Sequence, residues 1–217
     1  MIAAAMGAEW FARRFDAAVI AFCIQHDYPE VDDEWRAAVE LRLPVGLRSI
    51  LGDALAQGTI HVPEGTAGFL LRALPDKGPY AMFSRSATRV PAPNWEYFVQ
   101  LAEYARLAAA AGGRGWTIGF EDGLMDVSVY QAGELLWCIE VKEKAQGLRP
   151  LLEQIAKHGR AIDWTKQDRG NDPLRKAKYI ATKRPSWFSA VAIGERHDFS
   201  VSFDGEQFDL HRDVLPL

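Results

Sequence analysis

The sequence predicts a mixed α/β chain, with a mostly helical region over residues 1–90 and a region over residues 91–217 in which helices and strands alternate. Apolar residues recur at helical spacing through residues 7–58, and short runs after residue 115 alternate between apolar and polar residues. Between these stretches, the two prolines of ATRVPAPN interrupt any regular element. We therefore place a domain boundary near residue 90.

The composition is that of a soluble globular protein. The chain has 217 residues with 48% hydrophobic content, which is ample for a packed core. No run approaches the ~18 apolar residues of a membrane span, and the start MIAAAMGAEWFARRF has no secretory pattern. We expect a cytoplasmic protein that does not contact a membrane. Cys23 and Cys138 lie in apolar runs without CxxC spacing, so we expect buried free thiols.

Three helices and several short strands are predicted in the first region. Pro29 and Pro44 separate the helices, which are GAEWFARRFDAAVIAFCIQH, DDEWRAAVELRL and VGLRSILGDALAQG. The strand candidates are TIHVP and the stretch from GFLLRAL to YAMFSRS. No motif in this region predicts a function.

The second region has a clearer order of helix, three strands, helix and strand. Its first helix is NWEYFVQLAEYARLAAAAGG, with Asn94 as its cap and glycines at its end. Short turns join the three strands GWTIGFE, GLMDVSVY and ELLWCIEVK. The next helix is LRPLLEQIAKHGRAIDW, with Pro150 in its first turn. After it comes a basic loop, TKQDRGNDPLRK, and then three further strands are predicted: AKYIATK, WFSAVAIGE and HDFSVSFDG.

The charged end of ELLWCIEVK is the main candidate for a functional site. Glu140 and Lys142 are two residues apart in a strand, so their side chains share a face. Asp126 is the one charge in the preceding strand, and the short connection predicts that Asp126 and Glu140 lie side by side. Two adjacent carboxylates repel each other unless a cation lies between them, and hard oxygen ligands favour Mg²⁺ or Mn²⁺.

The predicted chemistry follows from these residue types. A metal held by Asp126 and Glu140, with the backbone carbonyl of Val141 as a further ligand, can bind a phosphodiester oxygen and lower the pKa of a bound water. Lys142 can orient or deprotonate that water, or stabilise the pentavalent intermediate. The alternative is a Glu and a Lys at the exposed end of an edge strand, without catalytic meaning.

The distribution of charge favours a nucleic-acid partner, although the net charge of −4 does not. Residues 142–184 contain 12 Lys or Arg against 5 Asp or Glu, whereas residues 91–141 contain 2 against 7. An acidic cluster beside a basic segment suits a divalent metal held next to a phosphate backbone. A chance asymmetry is the alternative.

The order of helix, strand, strand with Asp126, strand ending in Glu140-Val141-Lys142 and helix resembles the PD-(D/E)xK nuclease superfamily. The resemblance covers roughly residues 94–182 and implies a restriction-endonuclease-like fold, with a central mixed sheet flanked by helices. It also implies that Asp126 and Glu140 bind metal and that Lys142 assists catalysis. Met125 stands where the name of the motif has Pro, a residue that is often absent in the superfamily.

The resemblance adds further candidate residues. Many members use a Glu from the first helix, which points to Glu96, with Glu103 two turns later. A helical projection places both residues nearly opposite the apolar stripe. Solvated side chains are therefore the alternative. In the exonuclease-like branch a Gln on the helix after the triplet supports the site, and Gln154 matches that placement. A polar surface position is its alternative. The candidates for phosphate contacts, each of which could equally be an ordinary solvated side chain, are Lys144, Arg149, Lys157 and Arg160.

The leading functional hypothesis is a Mg²⁺- or Mn²⁺-dependent nuclease, with DNA as the expected substrate and residues 1–90 positioning it. RNA as substrate, and endonuclease or exonuclease action, stay open. Fold analogy alone points to restriction, defence or repair, and a homodimer could serve to cut both strands.

Two alternatives come from other classes. One is a nucleic-acid-binding subunit of a defence or repair complex that keeps the fold without cleavage. The other is a protein-interaction or inhibitor domain whose acidic residues 91–141 dock a basic partner. The chain has no GxGxxG, GxxxxGK[ST] or GxSxG motif, so a nucleotide cofactor or a Ser nucleophile is poorly supported.

Overall fold

A computed structural model describes residues 2–170 and 172–213 of the chain, with side chains from residue 6 onward in those ranges. The chain divides into two compact units, Met1–Arg106 and Leu107–Leu217. The division falls inside a helix and lies later in the chain than the predicted boundary near residue 90. Among the described residues, no helix combines the length and apolar character needed to cross a membrane.

The described ranges contain six helices and eleven strands, so the predicted mixed α/β class is confirmed. The helices are α1 (Ile2–His26), α2 (Asp33–Arg42), α3 (Val45–Ala56), α4 (Trp95–Ala110), α5 (Ala145–Arg160) and α6 (Pro173–Lys183). The strands are β1 (Ile60–His61), β2 (Gly68–Leu71), β3 (Tyr80–Ala81), β4 (Phe83–Ser84), β5 (Ala92–Pro93), β6 (Trp116–Asp122), β7 (Met125–Gln131), β8 (Glu134–Val141), β9 (Trp187–Ala192), β10 (Glu195–Asp204) and β11 (Gln207–Arg212).

The first unit contains the three predicted helices and short antiparallel strands. Helix α2 begins after Asp32, whose side chain accepts a hydrogen bond of 2.8 Å from the backbone N–H of Trp35. Helices α1 and α3 approach closely at Gly7 and Gly52, where a Cβ on Gly52 would overlap the carbonyl oxygen of Gly7. Strands β1, β2 and β3 form one small sheet, and β4 pairs with β5. This unit is therefore built around a helix contact that only glycine permits.

The second unit is built on a six-stranded mixed sheet with the order β11-β10-β9-β8-β7-β6. Neighbouring strands are antiparallel except for β8 and β9, which are parallel. Parallel neighbours require a crossover connection, and α5 and α6 provide it. Both helices pack on the sheet through a shared apolar core that includes Cys138, Leu148, Ile155, Ile180 and Phe188. Cys23 and Cys138 are buried free thiols, as predicted.

Helix α6 corrects the prediction of a strand for AKYIATK. The buried residues Leu174, Ala177, Ile180 and Ala181 recur at helical spacing. Asp172 caps the helix by accepting a 2.9 Å hydrogen bond from the backbone N–H of Leu174, and Pro173 occupies the first turn. The helical period becomes visible only when the segment is read from its cap Asp172, five residues before the predicted strand begins.

Helix α5 begins and ends earlier than predicted. It starts at Ala145 and ends at Arg160, whereas the predicted segment ran from residue 148 to residue 164. Pro150 is therefore the sixth residue of the helix and not part of its first turn. At that position the missing N–H of proline removes a hydrogen bond within the helix. Strand β11 also lies beyond the last predicted strand.

Candidate functional site

Strands β7 and β8 bring the two predicted carboxylates together. The antiparallel register pairs Val127 with Ile139, so the next position along the ladder sets Asp126 beside Glu140. One carboxylate oxygen of Asp126, Oδ2, accepts a 2.5 Å hydrogen bond from the backbone N–H of Val141. The side chain of Asp126 therefore bridges to the end of the neighbouring strand.

Glu140 lies at the centre of a cluster of charged side chains, which consists of Asp126, Glu140, Lys142 and Lys176. It is 1% exposed, and each of its carboxylate oxygens is paired with a lysine. Oε1 lies 3.0 Å from Nζ of Lys142, and Oε2 lies 2.5 Å from Nζ of Lys176. Nζ of Lys142 also donates a 2.8 Å hydrogen bond to the carbonyl of Val141. The two ammonium groups compensate a carboxylate that has no access to bulk water.

Lys176 is a member of this cluster that sequence reasoning missed. It lies on α6, is 4% exposed and also donates to the carbonyl of Leu124 at 3.4 Å. The sequence placed Lys176 in a basic loop, because the following residues were interpreted as a strand. A helical reading of residues 173–183 sets Lys176 next to Ala177 and one turn before Ile180, on the buried face. A lysine on the buried face of an amphipathic helix is a signal for a paired or functional charge.

Burial and a neighbouring charge both act on the carboxyl group of Asp126. Removal of its carboxylate from bulk water, together with the negative charge of Glu140, raises the pKa of Asp126 to about 7. The hydrogen bond from Val141 and the ammonium groups of Lys142 and Lys176 act in the opposite direction but do not cancel the increase. Asp126 therefore exchanges its proton near neutral pH in the protein without metal.

A polar cavity of about 190 Å³ opens beside the cluster. Asp126 and Lys176 line it together with Glu121, Gly170 and Arg175. The start of α5 lies next to Lys142, because a Cβ on Gly147 would be 3.8 Å from carbons of the Lys142 side chain. The cavity gives a solute access to Asp126 and Lys176 from one side.

The donor set at these strand ends fits Mg²⁺ or Mn²⁺ in type. Two carboxylates and the Val141 carbonyl are hard oxygen ligands, and Mg²⁺ commonly binds one or two carboxylates while keeping several waters. Across residues 2–170 and 172–213, no group of three or more His, Cys, Asp or Glu side chains is arranged to hold a metal ion. Water or substrate oxygens would therefore supply the remaining ligands.

The glutamates of α4 lie in the first compact unit. Glu96 is partly buried at the start of α4. Glu103 is 8% exposed, and its Oε2 accepts a 2.7 Å hydrogen bond from Nη2 of Arg106. The alternative of a solvated side chain does not hold for Glu103, because every residue from Phe98 to Ala105 is buried. The projection assumed one apolar face, whereas α4 is enclosed on nearly all sides.

The predicted residues around α5 are on its solvated surface. Gln154 is exposed and lies outside the buried stripe of Leu148, Ile155 and Gly159. The four predicted phosphate contacts are also exposed, and they are Lys144, Arg149, Lys157 and Arg160. Nε of Arg160 lies 2.7 Å from Oδ1 of Asp209, and Nζ of Lys144 lies 4.0 Å from Oε1 of Glu143. Their exposure leaves them accessible to a solute, and their role stays a prediction.

Comparisons with protein-family models, curated proteins and solved structures found no match to this chain. The function is therefore argued from the geometry of the cluster.

Proposed function

We propose that the chain is a divalent-metal-dependent nuclease of the PD-(D/E)xK type, which hydrolyses phosphodiester bonds and has DNA as its expected substrate. The observation that carries the proposal is the cluster of Asp126, Glu140 and Lys142 at the ends of two neighbouring strands, next to a polar cavity. A buried glutamate beside a partly buried aspartate is costly to maintain, so a function for the two carboxylates is the natural explanation.

Each residue has a separate role in this proposal. Asp126, Glu140 and the carbonyl of Val141 would hold Mg²⁺ or Mn²⁺, which when bound supplies positive charge to a phosphodiester oxygen and lowers the pKa of a water. The side chain of Lys142 is 26% exposed, and its ammonium group lies 3.0 Å from Glu140. It can therefore reach both the carboxylate and a solute, and would orient the attacking water or stabilise the developing charge.

The order of the elements supports the proposal of a restriction-endonuclease-like fold. Helix α4, the antiparallel strands β6 to β8 and helix α5 follow one another as the resemblance requires. The motif residues fall on β7 and at the end of β8. We include Glu96, Gln154 and the exposed cations around α5 in the proposal as substrate or site contacts to be tested one by one.

A second candidate is a non-catalytic subunit of a defence or repair complex that binds nucleic acid or another protein. The observation that favours it is the pairing of both Glu140 oxygens with lysines, which compensates the charge of Glu140 without a metal. In this case the cluster stabilises the fold, and the surface of the second unit carries the function.

A cleavage assay separates the two candidates. The purified full chain is incubated with single-stranded, double-stranded and branched DNA and with RNA, in Mg²⁺, Mn²⁺ or EDTA. Cleavage that requires the metal and is lost in Asp126→Asn, Glu140→Gln and Lys142→Met supports the nuclease, provided that each variant keeps its circular dichroism spectrum. Lys178→Met is the control for loss of a lysine elsewhere, because the ammonium group of Lys178 pairs with Asp168 and not with the cluster. Cleavage that persists in all three site variants would contradict the proposed mechanism. Binding of nucleic acid without cleavage would support the second candidate.

A further inference from the structure

The ammonium group of Lys176 is in direct contact with the proposed metal ligand Glu140. The residue is more than nine-tenths buried, and its Nζ lies 2.5 Å from Oε2 of Glu140 and 3.4 Å from the carbonyl oxygen of Leu124. Its neighbours on α6, Leu174, Ala177 and Ile180, are buried in the core of the second unit. The packing of α6 therefore places Lys176 beside Glu140 in the metal-free protein.

Lys142 contacts the same carboxylate in a different way. Its side chain is 26% exposed, whereas the side chain of Lys176 is 6% exposed. Lys142 extends from the end of a strand and can turn towards solvent while its backbone stays in the sheet, where its N–H donates to the carbonyl of Val191 at 2.8 Å. Of the two lysines on Glu140, Lys176 is the one that packing restrains.

A divalent ion on Glu140 would lie close to the ammonium group of Lys176. Like charges only a few ångströms apart repel strongly in an environment that excludes water. Oε2 of Glu140 therefore cannot make a close contact with both the metal ion and the ammonium group. The adjoining cavity provides another position for the ammonium group, because Lys176 already lines the cavity and Glu121, a carboxylate residue, also lines it.

We propose that Lys176 is a built-in competitor of the divalent metal. In the metal-free protein its ammonium group provides the positive charge beside Glu140, and metal binding requires that group to move from Oε2 into the cavity. The inference rests on the proposed function, since it takes Asp126 and Glu140 as the metal ligands. Lys176 is a positioning residue in this scheme: it acts on the metal through Glu140 and lowers the affinity of the site.

Titration of the full chain with Mn²⁺, followed by calorimetry, tests the inference without any cleavage reaction. Lys176→Met removes the competing charge and keeps an unbranched apolar side chain of similar length. Lys178→Met is the matched control, because Lys178 is on the same helix and pairs with Oδ2 of Asp168 at 3.0 Å. We expect Lys176→Met to bind Mn²⁺ about tenfold more tightly than the wild type, and Lys178→Met to bind like the wild type.

The outcomes distinguish this inference from the proposed function. If the wild type binds Mn²⁺ and Lys176→Met binds it equally or more weakly, the competitor role is overturned while the metal site stands. If neither the wild type nor Lys176→Met binds Mn²⁺, the metal site and the inference both fail.

A measurement on the wild type covers the case in which Lys176→Met does not fold. The protein is acetylated with an amine-reactive reagent, with and without Mn²⁺, and each lysine is quantified by mass spectrometry. Release of Lys176 into the cavity predicts that Mn²⁺ increases its acetylation, whereas acetylation of Lys178 stays the same. Unchanged or reduced acetylation of Lys176 in saturating Mn²⁺ would overturn the inference.

Discussion

The ammonium group of Lys176 on helix α6 lies 2.5 Å from Oε2 of Glu140 on strand β8, 36 residues earlier in the chain. Both residues are almost completely buried, so this contact is an ion pair that water does not screen. It ties the crossover helix to the strand end that carries the proposed metal site. The stability of the second unit and the chemistry of that site therefore depend on the same two side chains.

Glu140 and Lys176 should show strong energetic coupling. Glu140→Gln leaves Lys176 as an uncompensated buried charge and should lower the free energy of unfolding by about 3–5 kcal/mol. Lys176→Met leaves Glu140 paired with Lys142 alone and should lower it less, by about 2 kcal/mol. The double variant has no unpaired charge between these positions and should cost about 2 kcal/mol less than the sum. Urea unfolding in EDTA measures all four proteins.

The matched control for this cycle is Asp168→Asn with Lys178→Met, a more exposed ion pair that ends on the same helix. Its coupling should not exceed about 1 kcal/mol. If the changes in the free energy of unfolding for Glu140→Gln and Lys176→Met add up to that of the double variant, the two residues are not coupled as a buried ion pair.

Asp126 should make the stability of the fold decrease as the pH rises. Its pKa is about 7 in the folded protein and near 3.8 in the unfolded chain, so between these values the folded state binds the extra proton. The stability from this residue is present below pH 4 and is lost as the pH rises through 7, by an upper limit of about 4 kcal/mol. Urea unfolding in EDTA from pH 4 to pH 8 measures this loss.

Asp126→Asn provides the comparison, because its amide oxygen can still accept the N–H of Val141 but does not ionise. The variant should be more stable than the wild type at pH 8, and the difference should vanish near pH 4. Mg²⁺ at pH 8 should reduce the difference, since a metal stabilises the ionised form of Asp126. A gap that is constant across the pH range would contradict the raised pKa.

The exposed cations on α5 should contribute to nucleic-acid affinity through salt-dependent phosphate contacts. Arg149→Ala and Lys157→Ala should each weaken binding to duplex DNA of any sequence, and each should lower the slope of log affinity against log salt by about one. Arg160→Ala should change the slope less, because Arg160 already pairs with Asp209 at 2.7 Å. Fluorescence anisotropy between low and moderate salt measures the slopes. Slopes equal to that of the wild type in all three variants would remove α5 from the interface.

Gly52 should not tolerate a side chain. A Cβ at this position would overlap the carbonyl of Gly7 on α1, so Gly52→Ala should destabilise the first unit by about 3 kcal/mol as the helices move apart. Gly46→Ala is the control in the same helix, because no atom lies within 4 Å of a Cβ there. That substitution should stabilise α3 by about 0.5 kcal/mol. Thermal unfolding compares the two variants, and equal shifts in the melting temperature would refute the close approach of α1 and α3.

Much of the local structure could be predicted because its determinants are local. The helical period of residues 7–26 and the strand alternation of residues 116–141 are each decided by neighbours a few residues apart. The turn between β7 and β8 is short, so the pairing that sets Asp126 beside Glu140 could be anticipated as well. Helix α6 was wrongly predicted as a strand, because its cap and first turn were assigned to a loop.

The sequence by itself determined the helices of the first unit, the strands β6 to β10 and the adjacency of Asp126 and Glu140, since spacing and short turns specify all of these. The tertiary structure alone decided that Lys176 reaches Glu140 and that Glu103 is buried. The ion pair depends on a parallel crossover that folds α6 back onto β8, and the burial of Glu103 depends on the packing that encloses α4. Contacts between segments that are distant in the chain are selected by the packing of the whole unit, which leaves no periodic trace in the sequence.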